Sequence, residues 1–207
     1  KYVTVEITEE AKKEGTVVKN VEEALQGARD IIAEIVSDEP RYRTWIRNYF
    51  VNEAKLKCEV KDATLDEKGV YEMYYDYAEP LKTIKLHRVL AINRGEKEEF
   101  LKVNVQVDSD IILNYLFGEI VTNVKSPARE YLQSAIVDSY DRLIAPSVER
   151  EIRASIFDDA SESAIKLFSD NLKHLLMQAP LRGKTVLGYD PGYRTGCKLA
   201  VVDKTGK

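Results

Sequence analysis

The sequence predicts a mainly α fold with a small antiparallel β-sheet, followed by the opening hairpin of a separate α/β domain. Three observations carry this. Apolar residues recur at helical spacing over most of positions 20–179. Two short segments alternate apolar and polar residues, and the composition changes after Pro180.

The 207 residues are 44% hydrophobic and 32% charged, which suits a chain with a real core and excludes a disordered one. No stretch approaches the ~20 apolar residues that cross a bilayer, and no basic-then-apolar leader opens the chain. Cys58 and Cys197 are far apart and form no metal or redox motif, so reduced thiols and a cytoplasmic location are expected, with no membrane contact. The chain starts at Lys1, has methionine only at 73 and 177, and stops just after an apolar strand. It therefore reads as a fragment of a larger protein, whose last strand needs neighbours.

In order, 1–20 has weak patterning and reads as a peripheral arm. Val21, Ala24, Leu25, Ala28, Ile31, Ile32 and Ile35 form one apolar stripe, with Asn20 placed to cap the helix. Pro40 ends that helix and suits the first turn of the next, entered at Asp38 or Glu39. Tyr42, Trp45, Ile46, Tyr49 and Phe50 line its inner face, so Trp45 is expected as an anchor. Leu56, Cys58 and Val60 alternate with lysines and Glu59; Leu101, Val103, Val105 and Val107 alternate with polar residues. Paired with each other, most simply antiparallel, they satisfy their backbones. Helices are expected between them at Val70–Tyr77 and near Leu86–Arg94. In the first, Tyr74 and Tyr77 should face the core and Tyr71 and Tyr75 the outside.

Positions 108–179 read as helix throughout. Asp108–Ser109–Asp110 enters Ile111–Ile120, and Ser126–Pro127 starts the next run, which Pro146 should kink or break. Val148–Ile156 follows, then a stripe of Ala164, Ile165, Phe168, Leu172, Leu175 and Leu176. After the linker at 180–183, Thr185–Asp190 and Lys198–Asp203 read as strands joined through Pro191–Gly192.

Net charge is −4, so the surface as a whole is no polyanion binder. Three stretches are basic all the same: 41–61 at +4, 80–102 at +3 and 181–207 at +4. From the first two, Arg41, Arg43, Arg47, Lys85, Arg88 and Arg94 are the candidate nucleic-acid-binding residues. Tyr71 and Tyr75, facing outward, could stack on bases, and His87 could touch phosphate, although backbone contact is the commoner role of a histidine at a helix start. Trp45 beside Arg41, Arg43 and Arg47 suggests a stacking platform, but its stripe with Tyr42, Ile46 and Tyr49 makes it a buried anchor instead. No Ser-His-Asp, Cys-His or HExxH arrangement is present, and nothing calls for a cofactor.

The stretch VLGYDPGYRTGCKLAVVD (186–203) carries the most chemistry. Asp190 ends a strand where a carboxylate can hold a hard divalent cation, and Gly192 allows a sharp turn beside a phosphate. This pattern resembles the first hairpin of ribonuclease-H-like folds, and Asp190-Pro191-Gly192 followed by Gly196 resembles their resolvase-type branch. A nuclease of that kind needs further carboxylates, which would lie beyond Lys207. Actin-like ATPases use a similar hairpin, but Thr195 comes one residue too late for their pattern. Asp190 could equally do no more than end the strand.

Five blocks, EEALQGARDIIAE (22–34), KGVYEMYYDYAEP (68–80), HRVLAINRGEK (87–97), LIAPSVEREIR (143–153) and 186–203, resemble segments of the Tex family of transcription accessory proteins, in the family's order. The resemblance implies a helical region over 21–180 and the start of a truncated, resolvase-like ribonuclease-H-like domain over 181–207. It further implies that the whole protein binds RNA or single-stranded DNA, chiefly through an S1 domain outside this chain, and contacts the transcription machinery. It implies a non-enzymatic fragment, with Asp190 at most a vestigial metal ligand. A metal-dependent nuclease and an actin-like ATPase are the alternatives.

Overall fold

The computed structural model describes residues 20–207 apart from 65, 67, 124, 180, 182, 193 and 195. The expected arm over 1–20 lies, but for Asn20, outside the described residues.

Helix α1 (Val21–Asp38) begins where Asn20 Oδ1 accepts the Glu23 N–H at 2.8 Å, the cap its sequence offers. Its inner face is not the expected stripe. Ala33, Val36 and Ser37 are buried and Ile32 packs against the core, whereas Val21, Ile31 and Ile35 are 61%, 60% and 65% exposed. Small and polar groups explain the difference: the buried Ser139 hydroxyl donates to the Ala33 carbonyl at 2.7 Å, and Arg29 donates to Ser134 Oγ at 3.1 Å. Close backbone approach selects this face over the greasier one.

Helix α2 (Pro40–Glu53) has Glu39 as its N-cap and Pro40 in its first turn, as expected. Ile46 and Phe50 are buried, and Trp45 is half-buried as an anchor. Its ring stacks on Tyr115 at 3.9 Å and on Tyr49 at 5.4 Å. Helix α2 leads through the buried Ala54 into β1 (Lys55–Val60), the central strand of an antiparallel sheet ordered β2-β1-β3. Strand β3 (Leu101–Gln106) pairs with β1 as expected, Leu56 facing Val105, Cys58 facing Val103 and Val60 facing Leu101. Leu56, Cys58, Leu101 and Val103 are all buried. Burial, helped by the nearby Glu96 charge, pushes the Cys58 thiol up to about 11, so it behaves as a small apolar side chain.

Strand β2 (Asp76–Pro80) takes over the last two residues of the helix expected at Val70–Tyr77, and ahead of it only a 3-10 turn, Glu72–Tyr74, forms. The Asp66 carboxylate explains where the turn starts. It accepts the N–H groups of Val70 (2.9 Å) and Tyr71 (2.7 Å) and the Tyr75 hydroxyl (3.0 Å). The turn ends because the Val60 N–H binds the Tyr75 carbonyl and Cys58 pairs with Tyr77, so strand pairing overrides the local helical spacing. Tyr74 is buried as expected. Tyr71 is buried too, against expectation, stacking on Phe100 and donating to Glu98 at 2.7 Å.

Helix α3 (Leu86–Lys97) precedes β3, and α4 (Ser109–Ile120) starts at an Asp108 cap. Helix α5 (Arg129–Asp138) runs through a π turn (Ser139–Ile144) directly into α6 (Ala145–Leu176). Pro146 therefore does not break the run. Proline gives up one hydrogen bond and crowds the preceding turn, and here the helix has already widened, with the Ala145 N–H reaching back to the Tyr140 carbonyl.

The chain divides into two compact units, Lys1–Ser161 and Glu162–Lys207, so the division falls inside α6 and ahead of the composition change. In the second unit, β4 (Val186–Asp190) and β5 (Lys198–Val202) form the expected antiparallel hairpin, Val186 facing Val202 and Asp190 facing Lys198. Ile165, Phe168, Leu172, Leu175 and Leu176 on the tail of α6 are exposed.

Gly95 lies where α3 meets β3. A Cβ there would come within 2.7 Å of Leu101 and 2.9 Å of Tyr71, both buried. Gly95→Ala should therefore destabilise the fold by about 1–3 kcal/mol through overpacking, although alanine is the better helix former. Urea denaturation checks this, and a variant as stable as the parent would contradict the packing described.

Candidate nucleic-acid interface

The six basic residues picked from the sequence are mostly engaged by the protein itself. Along α2, Arg41 meets Glu119 of α4 at 2.7 Å and Arg47 meets Glu151 of α6 at 2.7 Å. Arg43 donates to the Ser37 carbonyl at 3.3 Å and to Ser147 Oγ at 2.9 Å. These three side chains tie α2 to α1, α4 and α6. On α3, Arg88 donates to both Glu79 carboxylate oxygens at 3.0 Å and to the Tyr77 hydroxyl at 3.2 Å. Arg94 pairs with Glu98 at 2.8 Å, and Lys85 is exposed at the start of the helix.

The structure puts Arg47 and Arg94 on different surfaces. With 100° between successive residues, Ile152, Ser155, Ile156 and Asp159 lie on one side of α6, lining a groove that includes Arg47. Arg150, Arg153 and Phe157 lie on the opposite side, lining a cleft of about 490 Å3 that includes Arg94, Lys97 and Leu90 of α3. Strand pairing does bring the basic stretches side by side, but Lys57 is paired with Glu59 at 2.8 Å and Lys102 faces Glu59 across the ladder. Trp45 and Tyr71 have ring partners within the protein, and His87 is exposed.

Arg150 and Arg153 do not stand out in the sequence, because they sit in a segment with acidic excess. The spacing Arg150-x-x-Arg153-x-x-x-Phe157 was the available signal, since it puts two cations and a ring on one helical face.

Around Glu79 the electrostatics are well defined. Burial works against the carboxylate's charge, yet hydrogen bonds from Tyr77 and Arg88 keep its pKa below the ordinary glutamate value. Burial, and then the bond to Glu79, pushes Tyr77 up to about 12. Asp190 stands exposed at the end of β4, opposite Lys198. Among the described residues no group of three or more His, Cys, Asp or Glu side chains could hold a metal ion, and no helix is long and apolar enough to cross a membrane.

The described residues form one mainly helical unit around a three-stranded antiparallel sheet and a second unit that carries a two-stranded antiparallel hairpin. The model of the Tex central region matches residues 4–168, and that of the Tex protein YqgF-like domain matches 184–207. The chain belongs to the Tex family. It is 54% identical over 187 residues to uncharacterized protein YdcI of Bacillus subtilis (strain 168), covering 90% of this chain and 26% of that protein. It is 32% identical to transcriptional accessory protein Tex of Neisseria gonorrhoeae, over 96% of this chain and 27% of the relative. It is also 32% identical to S1 RNA-binding domain-containing protein 1 of Pongo abelii, over 87% of this chain and 19% of the relative. The chain thus spans about a quarter of the length of its bacterial relatives.

The Glu79 cluster generates a pH prediction. A depressed carboxylate pKa contributes stability that is present above the unfolded value and is lost as pH falls through the folded one. The stability difference between the parent and Glu79→Gln should therefore be full at pH 6 and shrink below the ordinary glutamate value of 4.5. Urea titrations at pH 6, 4.5 and 3 measure it. A difference independent of pH would mean that Glu79 is not held ionised by Tyr77 and Arg88.

Proposed function

We propose that this chain is a non-enzymatic scaffold segment of a cytoplasmic, RNA-binding transcription accessory protein, one that contacts the transcription machinery. The observation that carries the scaffold reading is the use of the arginines. Arg41, Arg43, Arg47 and Arg88 each meet an acceptor on another element of the protein, which leaves them less free to meet a phosphate backbone. The RNA part rests on kinship, since one relative is named for an S1 RNA-binding domain and another as a transcriptional accessory protein. The non-enzymatic part rests on the lack of a catalytic constellation in the sequence, with Asp190 the one candidate ligand on the hairpin.

Two measurements test this reading. The chain should show no magnesium- or manganese-dependent cleavage of RNA or DNA; cleavage that vanishes in Asp190→Asn would replace the scaffold reading with the nuclease. The chain should also bind single-stranded RNA weakly, at micromolar or higher Kd, with log affinity falling steeply as log salt rises, by roughly 0.7 per phosphate contact. The net charge of −4 opposes the polyanion and leaves only local contacts to attract it. Fluorescence anisotropy at two salt concentrations reads this out. Tight, salt-insensitive binding would show that the helical body itself reads nucleic acid, contrary to the scaffold reading.

A further inference from the structure

We propose that the cleft between α3 and the first half of α6 receives a nucleotide of single-stranded RNA, its base against Phe157 and Leu90 and its phosphate on Lys97 and Arg150. The inference rests on the RNA-binding reading above and gives it a site. The cleft holds about 490 Å3, within the usual range for small-ligand sites. Four of its lining residues are cationic and none is acidic.

The four cations are not equivalent. Arg94 is paired with Glu98 and Arg153 with Glu96, so two charges are already met. Among the described residues, neither Lys97 nor Arg150 has a carboxylate within ion-pair distance. Arg150 uses only Nε, on the Pro146 carbonyl at 3.2 Å, which leaves its two terminal nitrogens for a ligand. Both residues are exposed. The Phe157 ring is 41% exposed beside the half-buried Leu90, an apolar wall that a nucleobase fits and a carboxylate does not. Cations beside an aromatic wall suit a base joined to a phosphate better than an acidic peptide, which would use the cations alone. The carboxyl end of α3 ends at Lys97, and its partial negative charge opposes an anion. That opposition fits weak binding and makes the free charges of Lys97 and Arg150 necessary.

The test uses the whole chain and a fluorescent oligo-uridylate. Phe157→Ala should weaken binding about fivefold or more, as loss of one stacked base does. Lys97→Gln and Arg150→Gln should each lower the slope of log affinity against log salt by about 0.7, whereas Lys82→Gln, an equal charge change outside the cleft, should leave affinity within about twofold of the parent, consistent with screening of remote charges. Thermal melts of all four variants should match the parent, since each side chain is exposed. Photocrosslinking of the bound oligonucleotide should map to α6 near Phe157. Weak, salt-steep binding that responds equally to Lys82→Gln would overturn the cleft and leave the scaffold reading standing. So would absence of binding, or a preference for hexaglutamate over oligo-uridylate. Tight binding that ignores salt would overturn both.

Discussion

Hydrogen bonding on both edges of β1 is the constraint on which the first unit depends. A strand paired on one side leaves a row of amides to satisfy elsewhere. Strand β1 leaves few, because β2 takes one edge and β3 the other in full antiparallel register. That register puts Leu56 and Cys58 on the same face as Leu101 and Val103, and α3 and α6 cover this face: Leu56, Val89, Ile92, Val103 and Ile156 surround one small cavity. Each fully buried aliphatic side chain there contributes about 1.5–3 kcal/mol of transfer free energy. The joints at the ends of the strands follow from the same pairing. The Ala54 carbonyl accepts the Leu81 N–H beyond β2, and Glu149 of α6 takes the Val105 N–H on the open edge of β3.

Given that frame, the helices do two different jobs. Helix α6 runs past the core with Val148, Ile152 and Ala160 buried and then continues into the second unit. The arginines of α2 cross from helix to helix at its side. Exposed ion pairs of this kind contribute little net stability, usually under about 1 kcal/mol each. Their consequence here is geometric: they hold guanidinium groups against protein acceptors.

That distinction separates what was legible in the sequence from what was not. Period-two alternation in 56–60 and 101–107 is enforced by burial of one sheet face, so β1, β3 and their pairing could be read directly. Caps at Asn20, Glu39 and Asp108 were equally legible, because a helix start must satisfy its own amides locally. Strand β2 was not, since Tyr71, Tyr74 and Tyr77 fit a helix as well as a turn and strand; the deciding bonds come from Asp66 and from β1, which is remote. The inner face of α1 is hidden from the sequence because burial at Ala33 and Ser37 leaves no hydrophobic stripe. Pro146 suggests a kink or a break because the π turn ahead of it leaves no mark in the sequence. Net charge over a window points to arginines that have partners within the protein, and it averages away Arg150 and Arg153, which share one helical face. The hairpin of β4 and β5, the part of the chain with the most recognisable chemistry, was read correctly because a strand, a Pro-Gly turn and a second strand are adjacent in sequence.

Pairing on both edges should make β1 the most rigid element of the first unit. Native-state hydrogen exchange on the intact chain, followed across a series of low denaturant concentrations, tests it most directly. Amides of β1, the β3 amides paired with it and the buried turns of α6 before Ser161 should be the slowest, opening together with the full free energy of unfolding. Exchange of β1 through a separate, lower-energy opening while the helices remain protected would contradict the account.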